Sequence, residues 1–136
     1  MRFVLIVLVF VVGCGSAAQL RASSDSDGIR FNFDRRGEAV PVLGISVFEM
    51  DNGRRGRTVC DLDRISPASH ATASMRTWLY GEVVGATYKV TECAPLDVER
   101  EYGVALYQPG HCLSFTRFRL RSDGSVVDLG PNEAGC

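Results

Sequence analysis

Two aspartates and two histidines are the candidates for acid–base chemistry or metal binding. Asp61 and Asp63 are two residues apart, and on a β-strand that spacing places both on one face. Paired carboxylates can act as general acid and base or bind calcium. His70 lies in a loop of small residues and His111 follows a Pro-Gly turn, so neither has an evident partner. The four residues support an enzymatic or ligand-binding alternative without forming a recognisable catalytic constellation.

Arginines form a second group. Arg117, Arg119 and Arg121 alternate along a predicted strand from Leu113 to Arg121, so they share one face. A strip of this kind is usually a solvated face or a guard against edge-to-edge association. It is also suited to docking an acidic partner. The strip is therefore the candidate partner-binding surface.

The apolar residues of the same strand change their alternation. Leu113 and Phe115 share one parity, whereas Phe118 and Leu120 share the other. A bulge near residues 116–117 would turn all four side chains inward and leave the arginines outside. The sequence therefore predicts a bulge in this strand.

Composition excludes several classes of protein. The chain has 136 residues, of which 46% are hydrophobic and 23% charged, which suits one domain with a packed core. A net charge of −1 is not that of a general nucleic-acid binder. We find no phosphate-binding glycine loop, CxxC pair or HExxH motif, so we predict no cofactor and no metal ion.

Short runs of alternating residues separated by turn signals predict an all-β fold. Ile29 to Phe33 alternates with polar residues, and Asp51-Asn52-Gly53 is a hairpin turn signal. About seven to eight such strands without an amphipathic helix predict an antiparallel β-sandwich. The segment from Ala94 to Tyr107 resembles the E-to-F passage of fibronectin-type and other Ig-like domains, through Leu96 and Tyr102. The resemblance implies an Ig-like sandwich, which does not by itself define a function.

The N-terminus has the features of an export signal. After Met1-Arg2, the apolar run from Phe3 to Val12 is about 15 Å long as a helix, too short to span a bilayer. It suits the h-region of a secretory signal. The Val11-Val12-Gly13-Cys14 sequence that follows resembles the lipobox of bacterial lipoproteins.

This resemblance implies a cut before Cys14, whose thiol then carries a diacylglycerol and whose new N-terminus is acylated. By the same resemblance, Gly15 and Ser16 are not the Asp-type retention signal, which favours the outer membrane. Several acyl chains together hold a protein firmly on a bilayer. The alternative is an ordinary secretory signal that is cut after Ala18.

Either cut removes Cys14 from disulfide formation and leaves four cysteines in an oxidising compartment. Alternating strand directions place Cys60 and Cys93 at one pole and Cys112 and Cys136 at the other. We therefore predict Cys60–Cys93 and Cys112–Cys136 disulfides. The predicted organisation is a signal peptide at 1–13, a lipidated N-terminus and flexible tether at 14–28, and one sandwich domain at 29–136.

Two functional hypotheses follow. The first is a non-enzymatic, protein-binding envelope lipoprotein, such as a periplasmic immunity protein or an accessory subunit of an envelope assembly, with an envelope or secreted protein as its partner. The second is a small periplasmic enzyme or ligand-binding protein that uses Asp61 and Asp63 or His70 and His111.

Overall fold

The structure, a computed structural model, describes residues 18–65, 72–91, 93–110 and 113–130. These residues form an antiparallel β-sandwich, which confirms the predicted fold class. They contain eleven strands instead of the expected seven to eight, because residues 19–25 of the predicted tether form a strand and the two-residue strands at 40–41 and 74–75 carry no periodic pattern. The strands are β1 (Gln19–Asp25), β2 (Gly28–Asp34), β3 (Val40–Pro41), β4 (Gly44–Asp51), β5 (Arg54–Arg64), β6 (Ser74–Met75), β7 (Thr77–Leu79), β8 (Tyr88–Val90), β9 (Glu101–Tyr107), β10 (Ser114–Leu120) and β11 (Val126–Gly130). Within the described ranges, no helix is long and apolar enough to cross a membrane.

The strands form one large sheet and two small ones. The large sheet has the order β11-β10-β9-β4-β5-β8, and a three-stranded sheet has the order β1-β2-β7. A two-stranded ladder joins β3 to β6. All pairs are antiparallel, including those between strands that are far apart in the chain, such as β4 and β9.

The core lies between the large sheet and the three-stranded sheet. In β9, Tyr102 and Val104 face this core, and in β2 the rings of Phe31 and Phe33 fill it. Trp78, the chain's only tryptophan, is fully buried and stacks against Phe31 with ring centroids 6.0 Å apart. In β2, the burial of Phe31 and Phe33 on either side of exposed Asn32 follows the period-2 pattern that the sequence predicts, whereas β9 is buried on both faces.

Part of the predicted flexible tether is the first strand of the fold. Gln19–Asp25 pairs with β2 along its whole length, and its Leu20 and Ala22 side chains are buried. The tether prediction is therefore wrong for residues 18–28. Only two small apolar residues alternate in this serine-rich segment, so its strand pattern is weak in the sequence. Residues 14–17 of the predicted tether, and the signal peptide at 1–13, lie outside the described residues.

The predicted bulge in β10 is wrong. This strand pairs with β9 without a shift from Ser114 to Arg119, so Leu113 and Phe115 face outward, away from Phe118. The register shift lies instead in the pairing of β10 with β11, between Arg117 and Phe118. There Leu129 of β11 has no partner on β10. The outward residues are accommodated because a second apolar cluster exists on the outer face of the large sheet, built on Phe48, Met50 and Ala105.

Glycine makes this outer cluster possible. The rings of Phe48 and Phe115 stack with centroids 5.9 Å apart above Gly103. A Cβ atom at residue 103 would lie 2.4 Å from Cε2 of Phe48 and 2.9 Å from Cε2 of Phe115. The absent side chain therefore provides the space in which the two rings lie flat on the sheet.

Cys60 and Cys93 form a disulfide, as predicted, with their Cα atoms 4.4 Å apart. The bond joins β5 to the segment after β8. The predicted Cys112–Cys136 pair lies outside the described residues, as does Cys14. Tyr102 accepts a hydrogen bond from the Asp97 backbone N–H at 2.8 Å, which ties the start of β9 to the loop before it.

Candidate partner-binding site

The arginine strip lies on the outer face of the large sheet. Thr116 and Phe118 are fully buried in the sandwich, so Arg117 and Arg119, which alternate with them, point the other way. Arg121 follows β10 directly and begins the turn to β11. Arg117 and Arg119 therefore lie outside the core, but the register differs from the predicted one and both side chains are half-buried instead of fully solvated.

Arg117 has an acidic partner. Its Nη1 donates to Oε1 of Glu101 at 2.7 Å, and each side chain is about a quarter exposed. In the strand register, Glu101 lies directly opposite Arg119, yet its carboxylate binds Arg117. The ion pair therefore neutralises Arg117 and leaves Arg119 without this carboxylate.

Arg119 lacks such a partner. Among the described residues, no carboxylate lies within salt-bridge distance of its guanidinium, and its Nε is buried without a hydrogen-bond acceptor. The Nε of Arg117 is also buried and unpaired, but that guanidinium binds Glu101 through Nη1. A buried donor without an acceptor costs on the order of 1–3 kcal/mol. Arg119 is thus the strand residue of the strip whose charge has no acidic partner among the described residues.

Other arginines of the sandwich are satisfied or solvated. Arg57 donates to Glu49 at 3.0 Å, and Arg55 lies over the ring of Phe48 at 4.3 Å from its centroid. Arg54 is exposed next to the β4–β5 turn. Compared with these side chains, Arg119 combines a buried donor with the absence of any acid partner in the described part of the chain.

Arg119 opens onto a pocket of about 300 Å³, which we call the hairpin pocket. Its lining comprises Glu99, Arg119, Arg121, Ser122, Asp123, Val127 and Leu129. Val127 lies opposite Arg119 in the β10–β11 register. The pocket therefore has an apolar side from β11 and a charged side on which two arginines, Arg119 and Arg121, lie near two carboxylates, Glu99 and Asp123.

Two carboxylates at the rim limit what the pocket can accept. Asp123 accepts hydrogen bonds from the N–H and the hydroxyl of Ser125 at 2.9 and 2.6 Å, and these bonds hold its pKa below the usual value. Glu99 has a left-handed backbone with φ of 61°, fixed by its N–H bond to the Leu120 carbonyl. Left-handed backbone costs a non-glycine residue roughly 1–2 kcal/mol, so this position of Glu99 is imposed by the packing.

The pocket's chemistry favours a single carboxylate. A guanidinium binds a carboxylate through parallel, charge-assisted hydrogen bonds. The Val127 and Leu129 side chains can contact the apolar stem that carries the carboxylate. Glu99 and Asp123 would repel further negative charge, which disfavours polyanions such as nucleic acid.

The alternative acidic pair is present but isolated. Asp61 and Asp63 lie on the same face of β5, as predicted. Asp61 accepts a hydrogen bond from the Ser46 hydroxyl, and exposed Asp63 accepts one from the Arg64 N–H. In the residues that the structure describes, no group of three or more His, Cys, Asp or Glu side chains could hold a metal ion. His70 and His111 lie outside those residues.

Part of the pocket could have been found from the sequence. The turn at Ser122–Gly124 and the strand after it were both predicted, and a hairpin register places Val127 beside Arg119. Glu99 had no such signal, because it comes from a loop twenty residues earlier in the chain that folds against the end of β10.

Comparisons with known proteins add no relatives. No protein-family model matches the chain, and searches among curated proteins and among solved structures find no significant match.

Proposed function

We propose that this chain is a lipoprotein of the bacterial envelope, anchored in the outer membrane through Cys14 and facing the periplasm. Its sandwich acts as a non-enzymatic protein-binding module. The partner is an envelope or secreted protein that inserts one acidic side chain, or a terminal carboxylate, into the hairpin pocket against Arg119. The observation that carries this proposal is that Arg119 lines that pocket and, among the described residues, has no acidic partner.

A partner's carboxylate would supply what Arg119 lacks. Charged groups that are partly buried are usually paired, so a half-buried guanidinium without an acidic partner among the described residues needs an explanation. A carboxylate in the pocket could accept charge-assisted hydrogen bonds from the Nη atoms of Arg119, whereas the buried Nε is out of its reach. Interfaces often gather most of their binding free energy at a few arginine or aromatic residues of this kind.

Ala18 supports the cut before Cys14 over the cut after Ala18. Its side chain is buried, and its carbonyl oxygen accepts a hydrogen bond from the Ser114 hydroxyl at 2.7 Å. A cut after Ala18 would remove this residue from the fold and leave the buried Ser114 hydroxyl without that acceptor. A cut before Cys14 keeps Ala18 in place.

The disulfide supports the proposed location in an oxidising compartment. The Cys60–Cys93 bond suits an oxidising environment such as the periplasm, whereas cytosolic thiols are kept reduced.

Affinity capture tests the binding proposal. The full chain, with its disulfide intact, serves as bait for native envelope and secreted proteins, beside Arg119→Gln and the control Arg54→Gln at an exposed arginine. We expect one stoichiometric partner with the wild type and the control, and at least tenfold less of it with Arg119→Gln, since losing a charge-assisted pair costs about 1.5–3 kcal/mol. A partner that Arg119→Gln retains in full would contradict the pocket, and no partner at all would contradict a binding module.

Mass spectrometry tests the anchor separately. We expect the N-terminal peptide of the membrane-extracted protein to begin at a lipidated Cys14, and we expect Cys14→Ala to abolish membrane retention. A peptide that begins at Gln19 would establish the ordinary secretory cut instead.

A further inference from the structure

The two ends of β1 define two poles of the sandwich. At the start of the strand, Ala18 is bound by Ser114, the first residue of β10. Near its end, the Ser24 hydroxyl accepts a hydrogen bond from the Val126 N–H at 3.1 Å. Because Val126 begins β11, the β10–β11 turn lies at the opposite pole from Ala18. We call these ends the Ala18 pole and the hairpin pole.

Contacts in the middle of β1 fix this alignment. The Ala22 N–H donates to Oδ2 of Asp128 at 2.7 Å, and Oδ1 of the same carboxylate accepts from the Thr116 hydroxyl. These hydrogen bonds hold β1 alongside β10 and β11 and fix its direction relative to both strands. At about 3.3 Å per residue, the seven residues of β1 separate the two poles by roughly 20 Å.

The Cys14 anchor and this geometry together limit the position of the sandwich. Only residues 15–17 separate Cys14 from Ala18 in the sequence. Four Cα-to-Cα steps span at most about 14 Å when fully extended. A flexible tether to residue 28 would have allowed a longer reach, but the pairing of β1 with β2 excludes it.

We infer that the Ala18 pole is held against the bilayer and that the hairpin pole projects away from it. This inference rests on the proposed lipid anchor at Cys14. The pocket with Arg119 and Arg121 then faces the aqueous compartment. Its partner is a soluble protein, or the soluble domain of one, that approaches from that side. A neighbour embedded in the same membrane would have to reach past the whole length of β1.

Förster resonance energy transfer from a dye on the protein to acceptor dyes on the membrane tests this orientation. A non-natural residue placed at Ser26 or at Glu38 allows one dye to be attached without adding a cysteine. Both positions are exposed, and they lie at opposite poles because Ser26 follows the end of β1 whereas Glu38 follows the end of β2. The lipidated full chain is placed in vesicles whose headgroups carry the acceptor.

We expect several-fold greater transfer from residue 38 than from residue 26. A ten-residue Gly-Ser insertion after Ser16 should reduce the energy transfer from residue 38. It should also remove most of the difference in transfer between the two positions. Equal transfer from both positions in the unmodified chain, or greater transfer from residue 26, would overturn the inference. An unmodified Cys14 would overturn the anchor and this orientation with it, but it would leave Arg119-dependent capture as an independent result.

Discussion

Replacing Arg119 with methionine should stabilise the free domain while removing its binding function. Methionine keeps an unbranched apolar stem of similar reach but has no buried donor. The unpaired Nε of Arg119 costs on the order of 1–3 kcal/mol, and the exposed remainder of the guanidinium, which stays hydrated, reduces the gain. We therefore expect the free energy of unfolding to rise by about 1 kcal/mol. Functional sites commonly carry such a cost in stability.

Arg30→Met provides the matched control. Arg30 lies on the opposite sheet with its side chain 26% exposed, and its Nε donates to Asp25 at 2.8 Å. The same substitution there removes a satisfied donor instead of an unsatisfied one. It should leave stability unchanged or lower it, so the two variants should not shift in the same direction.

Urea denaturation of the oxidised chain measures both variants. Trp78 reports unfolding because it is the chain's only tryptophan and is fully buried in the core. With a slope of about 2 kcal/mol per molar urea, a change of 1 kcal/mol moves the midpoint by roughly 0.5 M. A midpoint for Arg119→Met that falls below the wild type, or falls as far as that of Arg30→Met, would refute the view that Arg119 is held unsatisfied.

Three further predictions concern the fold. Gly103→Ala should lower the free energy of unfolding by about 1–3 kcal/mol in the same assay, because its Cβ would displace the stacked rings above it; an unchanged midpoint would contradict that packing. Replacing Cys60 and Cys93 together with alanine should cost about 4 kcal/mol in the chain-entropy model for residues 33 apart, and a loss below 1 kcal/mol would argue against that model here. Burial raises the pKa of Tyr80 to about 12, so its contribution to stability is complete below pH 10 and is lost as the pH rises from 10 to 12. Tyr80→Phe should therefore flatten the fall of stability over that window, and a parallel pH profile would contradict the shift.

Elements with strong local signals could be predicted from the sequence. The Asp51-Asn52-Gly53 turn forms as expected, with positive φ at Asn52 and Gly53, because those residues tolerate the left-handed region that a tight hairpin requires. The strict alternation from Ile29 to Phe33 lies within β2. The Cys60–Cys93 pairing followed from strand direction alone.

Features that depend on distant parts of the chain could not be predicted. β1 has too few apolar residues to signal a strand and is held by pairing with β2. The outward position of Phe115 depends on Gly103, which leaves room for a second apolar cluster on a face expected to be polar. In each case the tertiary environment overrides the local pattern.

The same limit applies to the candidate site. The sequence identified the arginine strip, but it assigned the same surroundings to all three of its members. Arg119 differs from Arg117 because Glu101 forms its ion pair with Arg117. It also differs because Glu99, at the end of β10, lines the same pocket as Arg119. The first depends on side-chain geometry and the second on a backbone contact between distant segments, and periodicity describes neither.

Photo-crosslinking at Ser122 in living cells tests the central proposal most directly. This residue is exposed and lines the hairpin pocket, so a photoreactive residue there lies within reach of whatever occupies it. We predict one crosslinked envelope or secreted protein, attached through a segment that carries Asp, Glu or a terminal carboxylate, and we predict its loss in Arg119→Gln but not in Arg54→Gln. The absence of a crosslinked protein, or one that persists when Arg119 is replaced, would contradict the proposed binding site.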